Sequence, residues 1–188
     1  MTEFTIARSE LILGGQKSGK SRRAELLARQ WVQQSPAHRA VMIATAQPWD
    51  DEMRLRIARH QQERAERVPG MTTVEEPLAL AEAIARHSTP ATLVVVDCLT
   101  LWLTNLLVLD DPQRLQHERD ALLQVLGELP GRIILVSNET GLGVVPLGEL
   151  TRRYVDEAGW LHQAVAAACD RVIFTVAGLP MILKGEAL

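Results

Sequence analysis

Five short apolar runs, at residues 11–13, 39–44, 93–97, 132–137 and 171–176, punctuate this chain of 188 residues. Between them the apolar residues recur at steps of three and four, the spacing of amphipathic helices. A strand that is apolar along its whole length must be covered on both faces, and the alternating helices supply the cover. The pattern therefore predicts an α/β fold built on a mainly parallel sheet with helices on both faces. The helical segments are read at 21–34, 51–68, 78–86, 99–108, 113–126 and 147–168. After the fifth run, Gly178-Leu179-Pro180 turns the chain into a short terminal edge strand at 181–184. Asp110-Asp111-Pro112 reads as a helix break rather than a linker. With no repeat and no long Ser/Gly/Pro stretch, residues 1–188 are expected to form one domain.

Composition narrows the partners. Twenty Lys and Arg against 23 Asp and Glu give a formal charge of -3, so no global positive field exists to hold nucleic acid or an anionic membrane surface. The most lipid-like stretch, 93–109, is interrupted by Asp97, Thr100, Thr104 and Asn105. That predicts a buried strand running into a buried helix, not stable membrane insertion. The first ten residues, MTEFTIARSE, lack the apolar core of a signal peptide. Cys98 and Cys169 are far apart and form no C-x-x-C pair, which points to a reducing compartment without structural zinc. A cytoplasmic location is expected.

The first apolar run ends in LILGGQKSGKS, where Gly14, Gly19, Lys20 and Ser21 fill the G-x-x-x-x-G-K-[ST] pattern between a strand and an amphipathic helix. Glycines let such a loop curl so that successive backbone N–H groups face phosphate, and the helix start adds its positive dipole end. Gly14, Gly15, Gln16, Lys17, Ser18, Gly19, Lys20 and Ser21 are thus the expected nucleotide-binding loop. Lys20 is expected to reach the β and γ phosphates, and the Ser21 hydroxyl to ligate Mg2+. A carboxylate should complete the metal site from the end of a neighbouring strand, and Asp97, closing Leu93-Val94-Val95-Val96-Asp97, is the candidate. Motors, switches and small-molecule kinases all use such a loop. A guanine-reading switch would carry N-K-x-D after a later strand, whereas here Ser137-Asn138-Glu139-Thr140-Gly141 follows.

Residues 50–64, DDEMRLRIARHQQER, place Met53, Ile57, His60 and Arg64 on one helical stripe, where an apolar face leaves the core at His60. Asp50, Asp51 and Glu52 read as capping residues at the helix start. On pattern alone His60, Gln61, Arg64 and Glu75 are solvated surface residues and Thr45 a turn residue. His38, His87, His117 and His162 show no metal-ligand spacing and read as surface or loop residues. The tryptophans at 31, 49, 102 and 160 could stack on a base or ring, though core packing is the commoner use.

Together these blocks resemble one family. GGQKSGKS at Gly14, IATAQ at Ile43, DDEMRLRIARHQQER at Asp50, VDCLTLWLTNLL at Val96, SNETGLGVVP at Ser137, RRYVDEAG at Arg152 and AGLPMILK at Ala177 run in order along nearly the whole chain. They are similar to the bifunctional adenosylcobinamide kinase and adenosylcobinamide-phosphate guanylyltransferase family of cobalamin biosynthesis. The resemblance implies a P-loop nucleotidase fold of the RecA-like class and two reactions at one nucleotide site, with ATP and GTP as substrates beside Mg2+. The first phosphorylates the aminopropanol hydroxyl of adenosylcobinamide. In the second, a histidine matched by His60 attacks the α phosphate of GTP, and GMP then passes to adenosylcobinamide phosphate. His60 and Lys20 become the expected catalytic residues, while Thr45, Gln61, Arg64, Glu75 and Asp97 match nucleotide-contacting positions. Asn138, Glu139, Gly141 and Gly143 are expected near the cleft. The family also implies a homotrimer, for which Trp102, Leu103, Leu106 and Leu107 are a candidate contact surface if they are not buried within the subunit. Lys17 stands where the pattern has arginine, Val155 replaces an arginine and His162 an asparagine. A monofunctional small-molecule kinase and a non-catalytic nucleotide-binding module are the rival readings.

Overall fold

A computed structural model describes residues 6–48 and 50–186, with Arg56 known by its backbone alone. Trp49 and residues 1–5 therefore lie outside the described residues. The elements run β1 (Ser9–Gly14), α1 (Lys20–Gln34), β2 (Arg39–Ala44), α2 (Asp51–Arg67), β3 (Thr72–Glu75) and α3 (Leu80–His87), followed by β4 (Thr92–Asp97), α4 (Leu99–Val108) and α5 (Pro112–Glu128). The chain then forms β5 (Arg132–Asn138), α6 (Glu149–Ala168), β6 (Arg171–Val176) and β7 (Leu179–Lys184). All seven strands join one sheet in the order β3-β2-β4-β5-β1-β6-β7, parallel except for the antiparallel β6–β7 pair.

Each apolar run became a strand because its residues serve both faces alternately. Leu11, Leu13, Val94, Val96, Ile133 and Leu135 point to one side and meet α3, α4, α5 and α6. Ile12, Leu93, Val95, Ile134 and Val136 point to the other and meet Ala24, Leu27, Ala28 and Trp31 of α1. A fully buried Leu, Ile or Val contributes about 1.5–3 kcal/mol, so the three central strands β1, β4 and β5 carry much of the stability. Side chains set the helix boundaries. The Asp50 carboxylate accepts Met53 N–H at 2.7 Å, opening α2 as expected of a capping residue. Asp111 accepts from Gln113 and Arg114 beside Pro112 at the start of α5. Glu76 accepts the Leu78 and Ala79 N–H groups at 2.9 and 2.8 Å, which delays α3 to Leu80, two residues later than its periodicity suggested.

Three expectations need correction. Strand β3, Thr-Thr-Val-Glu, has no apolar run; it is a mostly exposed edge strand whose membership comes from parallel pairing with β2. Asp97 ends β4, which is not the neighbour of β1, because β5 lies between them. Trp102, Leu103, Leu106 and Leu107 are buried against the sheet and α3 to α6, so they form no contact surface. Exposed apolar residues include instead Leu142, Val144, Val145, Leu147 and Leu150, before and at the start of α6, and Leu179, Met181 and Leu183 on β7.

Trp102 is 0% exposed, and its indole N–H donates to the Leu78 carbonyl at 2.8 Å. Truncating it opens a cavity and leaves that carbonyl with the Leu80 N–H alone, so Trp102→Ala is expected to cost about 3–5 kcal/mol. Urea denaturation measures this; a loss below about 1 kcal/mol would contradict the packing described.

Candidate phosphate-transfer site

A cleft of about 910 Å³ opens at the carboxyl ends of the strands, lined by the loop after β1, the ends of β2, β4 and β5, and one face of α2. Its floor is the loop after β1. Gly14 leaves β1 with φ 153°, and a Cβ there would lie 2.4 Å from the Thr175 carbonyl oxygen of β6. No other residue fits. Gly19, at φ 103°, is less tightly hemmed in, since its Cβ would stand 3.2 Å from Gly178 Cα in the β6–β7 turn. That turn braces the loop, because Gly178 N–H donates to Ser18 O at 2.8 Å. On the other side Glu139 N–H donates to Gly14 O at 3.0 Å. Helix α1 then starts at Lys20 with no side chain capping its amino end, leaving that end open to an anion.

Gln16, Lys17, Ser18, Gly19, Lys20 and Ser21 all line the cleft, as does Asp97. Lys20 is 7% exposed, and its Nζ donates to Gly15 O at 2.6 Å, one of three available N–H bonds. Burial pushes its ammonium pKa down, while the carboxylate of Asp97 and the nearby Cys98 thiol oppose the shift. Asp97 is held by the sheet register, facing Ala44 on β2 and Val136 on β5. The corner after it is clamped by Thr45, whose hydroxyl donates to Cys98 O at 2.7 Å and accepts Cys98 N–H at 3.0 Å. Asn105 donates in turn to the Thr45 and Pro77 carbonyls. Thr45 is 0% exposed. Its hydroxyl fixes the Asp97 corner and does not line the cleft, which differs from the nucleotide contact suggested by its place in the motif.

Helix α2 closes another wall. Met53, Ile57, His60 and Arg64, the stripe read from the sequence, all line the cleft, with Gln61 beside them. The apolar end of the stripe was expected to face the core and instead faces this open space. The helix is held by its other end: Arg64 donates to the Thr73 hydroxyl at 3.1 Å, and Arg67 pairs with Glu25 of α1 at 2.7 Å and with Glu63 at 2.9 Å. Val68, just past the end, is buried beneath α1. Glu75 accepts from Gln61 Nε2 at 3.3 Å and does not itself line the cleft. The His60 ring makes no hydrogen bond to the described residues and is only half-buried, so its nitrogens are available to a ligand.

Sequence reasoning missed several lining residues, among them Arg22, Glu52, Leu55, Arg59 and Leu101. Helix α2 presents a wider face than its apolar stripe, and no motif marks the extra positions. Asn138 lines the cleft, whereas Glu139, Gly141 and Gly143 do not. His162, read as a surface residue, is buried against Ser137 because α6 packs across the end of β5. Trp31 and Trp102 are buried, leaving Trp160 exposed. Both cysteines are buried and free, their thiols pushed up to about 11 for Cys98 and about 12 for Cys169 by burial. No cluster of three or more His, Cys, Asp or Glu suited to a metal occurs among the described residues. A cation here would need phosphate oxygens to complete its shell.

A sequence model of the family described as cobinamide kinase / cobinamide phosphate guanyltransferase matches residues 10–183, from β1 into β7 and across every wall of the cleft. The chain belongs to that family. It is 64% identical over 179 residues to the bifunctional adenosylcobalamin biosynthesis protein CobP of Pseudomonas aeruginosa, covering 95% of this chain and 99% of that one. It is 35% identical to the bifunctional adenosylcobalamin biosynthesis protein CobU of Escherichia coli K12, over 93% of this chain and 98% of the relative. Among solved structures, the flagellar accessory protein FlaH from Methanocaldococcus jannaschii matches with a TM-score of 0.52 at 14% identity, over 96% of this chain and 80% of FlaH. That likeness shows the P-loop, RecA-like fold.

The Thr45 clamp can be removed at nearly constant volume. Thr45→Val leaves the Cys98 N–H without a partner in a buried place, Cys98 O keeping the Trp102 N–H, and is expected to cost about 1–3 kcal/mol, whereas Thr45→Ser retains most of the stability. Equilibrium unfolding reads both; a Val variant as stable as the wild type would show that the corner does not depend on this hydroxyl.

Proposed function

We propose that this chain phosphorylates adenosylcobinamide with ATP or GTP and then transfers GMP from GTP, through a guanylylated His60, to adenosylcobinamide phosphate, giving adenosylcobinamide-GDP. The observation that carries the reading is that the phosphate loop and the His60 stripe line one cleft. Two chemistries follow from two points of attack on one triphosphate. In the kinase step the substrate hydroxyl attacks the γ phosphorus, the bond to the β-bridging oxygen breaks, and the nucleoside diphosphate leaves. In the second, a neutral His60 nitrogen attacks the α phosphorus and pyrophosphate leaves; the corrinoid phosphate then attacks the same phosphorus and the P–N bond breaks.

The residues divide this work by position. Backbone N–H groups of residues 14–21 and the open start of α1 hold the phosphates, and the N–H bonds of Lys20 not given to Gly15 neutralise charge on the departing group. Ser21 and Asp97, a hydroxyl and a carboxylate lining the same cleft, suit Mg2+ bound through nucleotide oxygens. Such an ion supplies Lewis-acid stabilisation of the leaving phosphate. Gln61 and Arg64 flank His60 on α2, with Glu75 holding the Gln61 amide and Thr73 the Arg64 guanidinium. Residues 1–188 are taken to act as one domain. The exposed apolar residues between Leu142 and Leu150 favour burial in a homotrimer. Two free cysteines and nucleotide substrates favour the cytoplasm, and no described helix is long and apolar enough to cross a membrane.

Substitution separates the two steps. Lys20→Ala should depress cobinamide phosphorylation and GMP transfer together, each by about 100-fold or more. His60→Ala should lower GMP transfer by several orders of magnitude while phosphorylation stays within about tenfold of wild type, because the kinase step needs no nucleophilic side chain. Steady-state assays of both activities decide. Equal loss of both in His60→Ala would favour a kinase in which the histidine only binds nucleotide, and a Lys20→Ala enzyme that kept one activity would require a second nucleotide site.

A further inference from the structure

Behind Asn138, where β5 meets the cleft, runs a line of polar side chains that the phosphate chemistry leaves unused. Asn138 N–H donates to the Thr100 hydroxyl oxygen at 2.8 Å. Thr100 Oγ1 lies 3.3 Å from Ser137 Oγ, and Ser137 Oγ lies 2.7 Å from Nε2 of His162 on α6. The other ring nitrogen, Nδ1, faces Glu139 Oε2 at 3.8 Å, too long for a hydrogen bond but close enough for attraction between an N–H dipole and a carboxylate. Ser137 is 0% exposed and His162 8%. Burying polar groups this deeply is costly unless each has a partner, so the line is a built structure and not loose surface polarity.

The donors can be ordered along it. Nδ1 faces the Glu139 carboxylate, which only accepts, so the ring proton is placed on Nδ1 and Nε2 is left to accept the Ser137 proton. Ser137 Oγ is then open to the Thr100 proton, while Thr100 Oγ1 accepts from Asn138. Burial lowers the His162 pKa against the pull of Glu139, in keeping with a neutral ring. The far end of the line touches both parts of the site: Asn138 lines the cleft, and Glu139 N–H donates to the carbonyl of Gly14, the first residue of the phosphate loop.

We infer that His162 is a positioning residue for the transfer reactions: by accepting the Ser137 hydroxyl through Nε2, it holds Thr100, Asn138 and the Glu139–Gly14 bond in the geometry the cleft uses. This rests on the phosphate-transfer reading of the cleft for its kinetic consequence, but not for its structural one. The ring touches no reacting atom. Its effect is on alignment, so it falls on turnover more than on nucleotide affinity.

The test uses the full-length protein with His162→Phe, which keeps a ring but no nitrogen, His162→Gln, whose amide head stands near the place of Nε2, Ser137→Ala, and the Ser137→Ala/His162→Phe double variant. Amide hydrogen exchange is measured at Asn138 and Glu139, together with kcat for both activities and the Kd of a non-hydrolysable GTP analogue. In His162→Phe both amides are expected to exchange at least about tenfold faster. There kcat should fall by roughly tenfold with Kd changed less than about twofold, and Gln should restore most of each. Ser137→Ala should reproduce the loss, and the double variant should be no worse than the poorer single one, since both act through one hydrogen bond. Unchanged exchange at both amides, independent multiplicative effects, a loss confined to Kd, or failure of Gln to recover would overturn the inference. If the Phe variant does not fold, Ser137→Ala decides alone, and wild-type exchange or kcat there would overturn it equally. A wild type inactive on cobinamide would sink the proposed function instead, while the exchange data would still judge His162.

Discussion

The cleft depends on where β1 ends. That strand lies inside the sheet between β5 and β6, buried on both faces, and its last residue must turn away where the Thr175 carbonyl leaves no room for a Cβ. Gly14 meets that constraint, and three consequences follow. The loop emerges between two strands whose own ends can grip it, through Glu139 on one side and the Gly178 turn on the other. Helix α1 is aimed with its uncapped amino end at the sheet's carboxyl edge. Lys20 is carried into a largely buried position where attraction to Asp97 opposes the cost of keeping its charge. A lysine on a surface loop would have neither the low dielectric nor the fixed aim that make it useful toward phosphate.

Helix α2 is the contrasting element. It is mainly polar, and most of its length covers no core; its attachment comes from Arg64, Arg67 and Val68 near its carboxyl end. Anchoring one end leaves the face from Met53 to His60 over the cleft, so the apolar residues of that face are available to a ligand and not consumed by packing. Exposed ion pairs such as Arg54–Asp51 and Arg59–Glu63 add little to stability. Arg54–Asp51 lies off the cleft, whereas Arg59 and Glu63 line it, so the cleft face of α2 sets charged groups beside its apolar residues.

Much of this was legible in the sequence. The strands showed because central parallel strands are apolar throughout, and the loop showed because glycine spacing and a following Lys-Ser are dictated by phosphate geometry. Thr72–Glu75 was invisible as a strand, since an edge strand with a mostly exposed face has no need of apolar residues. Thr45 read as a turn residue on pattern alone and as a nucleotide contact only through the family resemblance; the fold shows that its hydroxyl is committed to Cys98. His162 was missed for a related reason: a histidine on an amphipathic helix looks solvated until α6 is seen to lie across the end of β5. Helix periodicity indicates which residues share a face, but not what that face meets. The stripe from Met53 to Arg64 was therefore correct in membership while its destination was a cleft.

Whether one cleft performs both transfers turns on the fate of the α phosphate. Wild-type protein incubated with GTP, without any corrinoid, should acquire one GMP by intact-mass analysis, acid-labile as a phosphoramidate is, and peptide mapping should place it on His60. Adding adenosylcobinamide phosphate should discharge it. An adduct on any other residue, or the absence of an adduct from protein that still makes adenosylcobinamide-GDP, would contradict double displacement through this histidine.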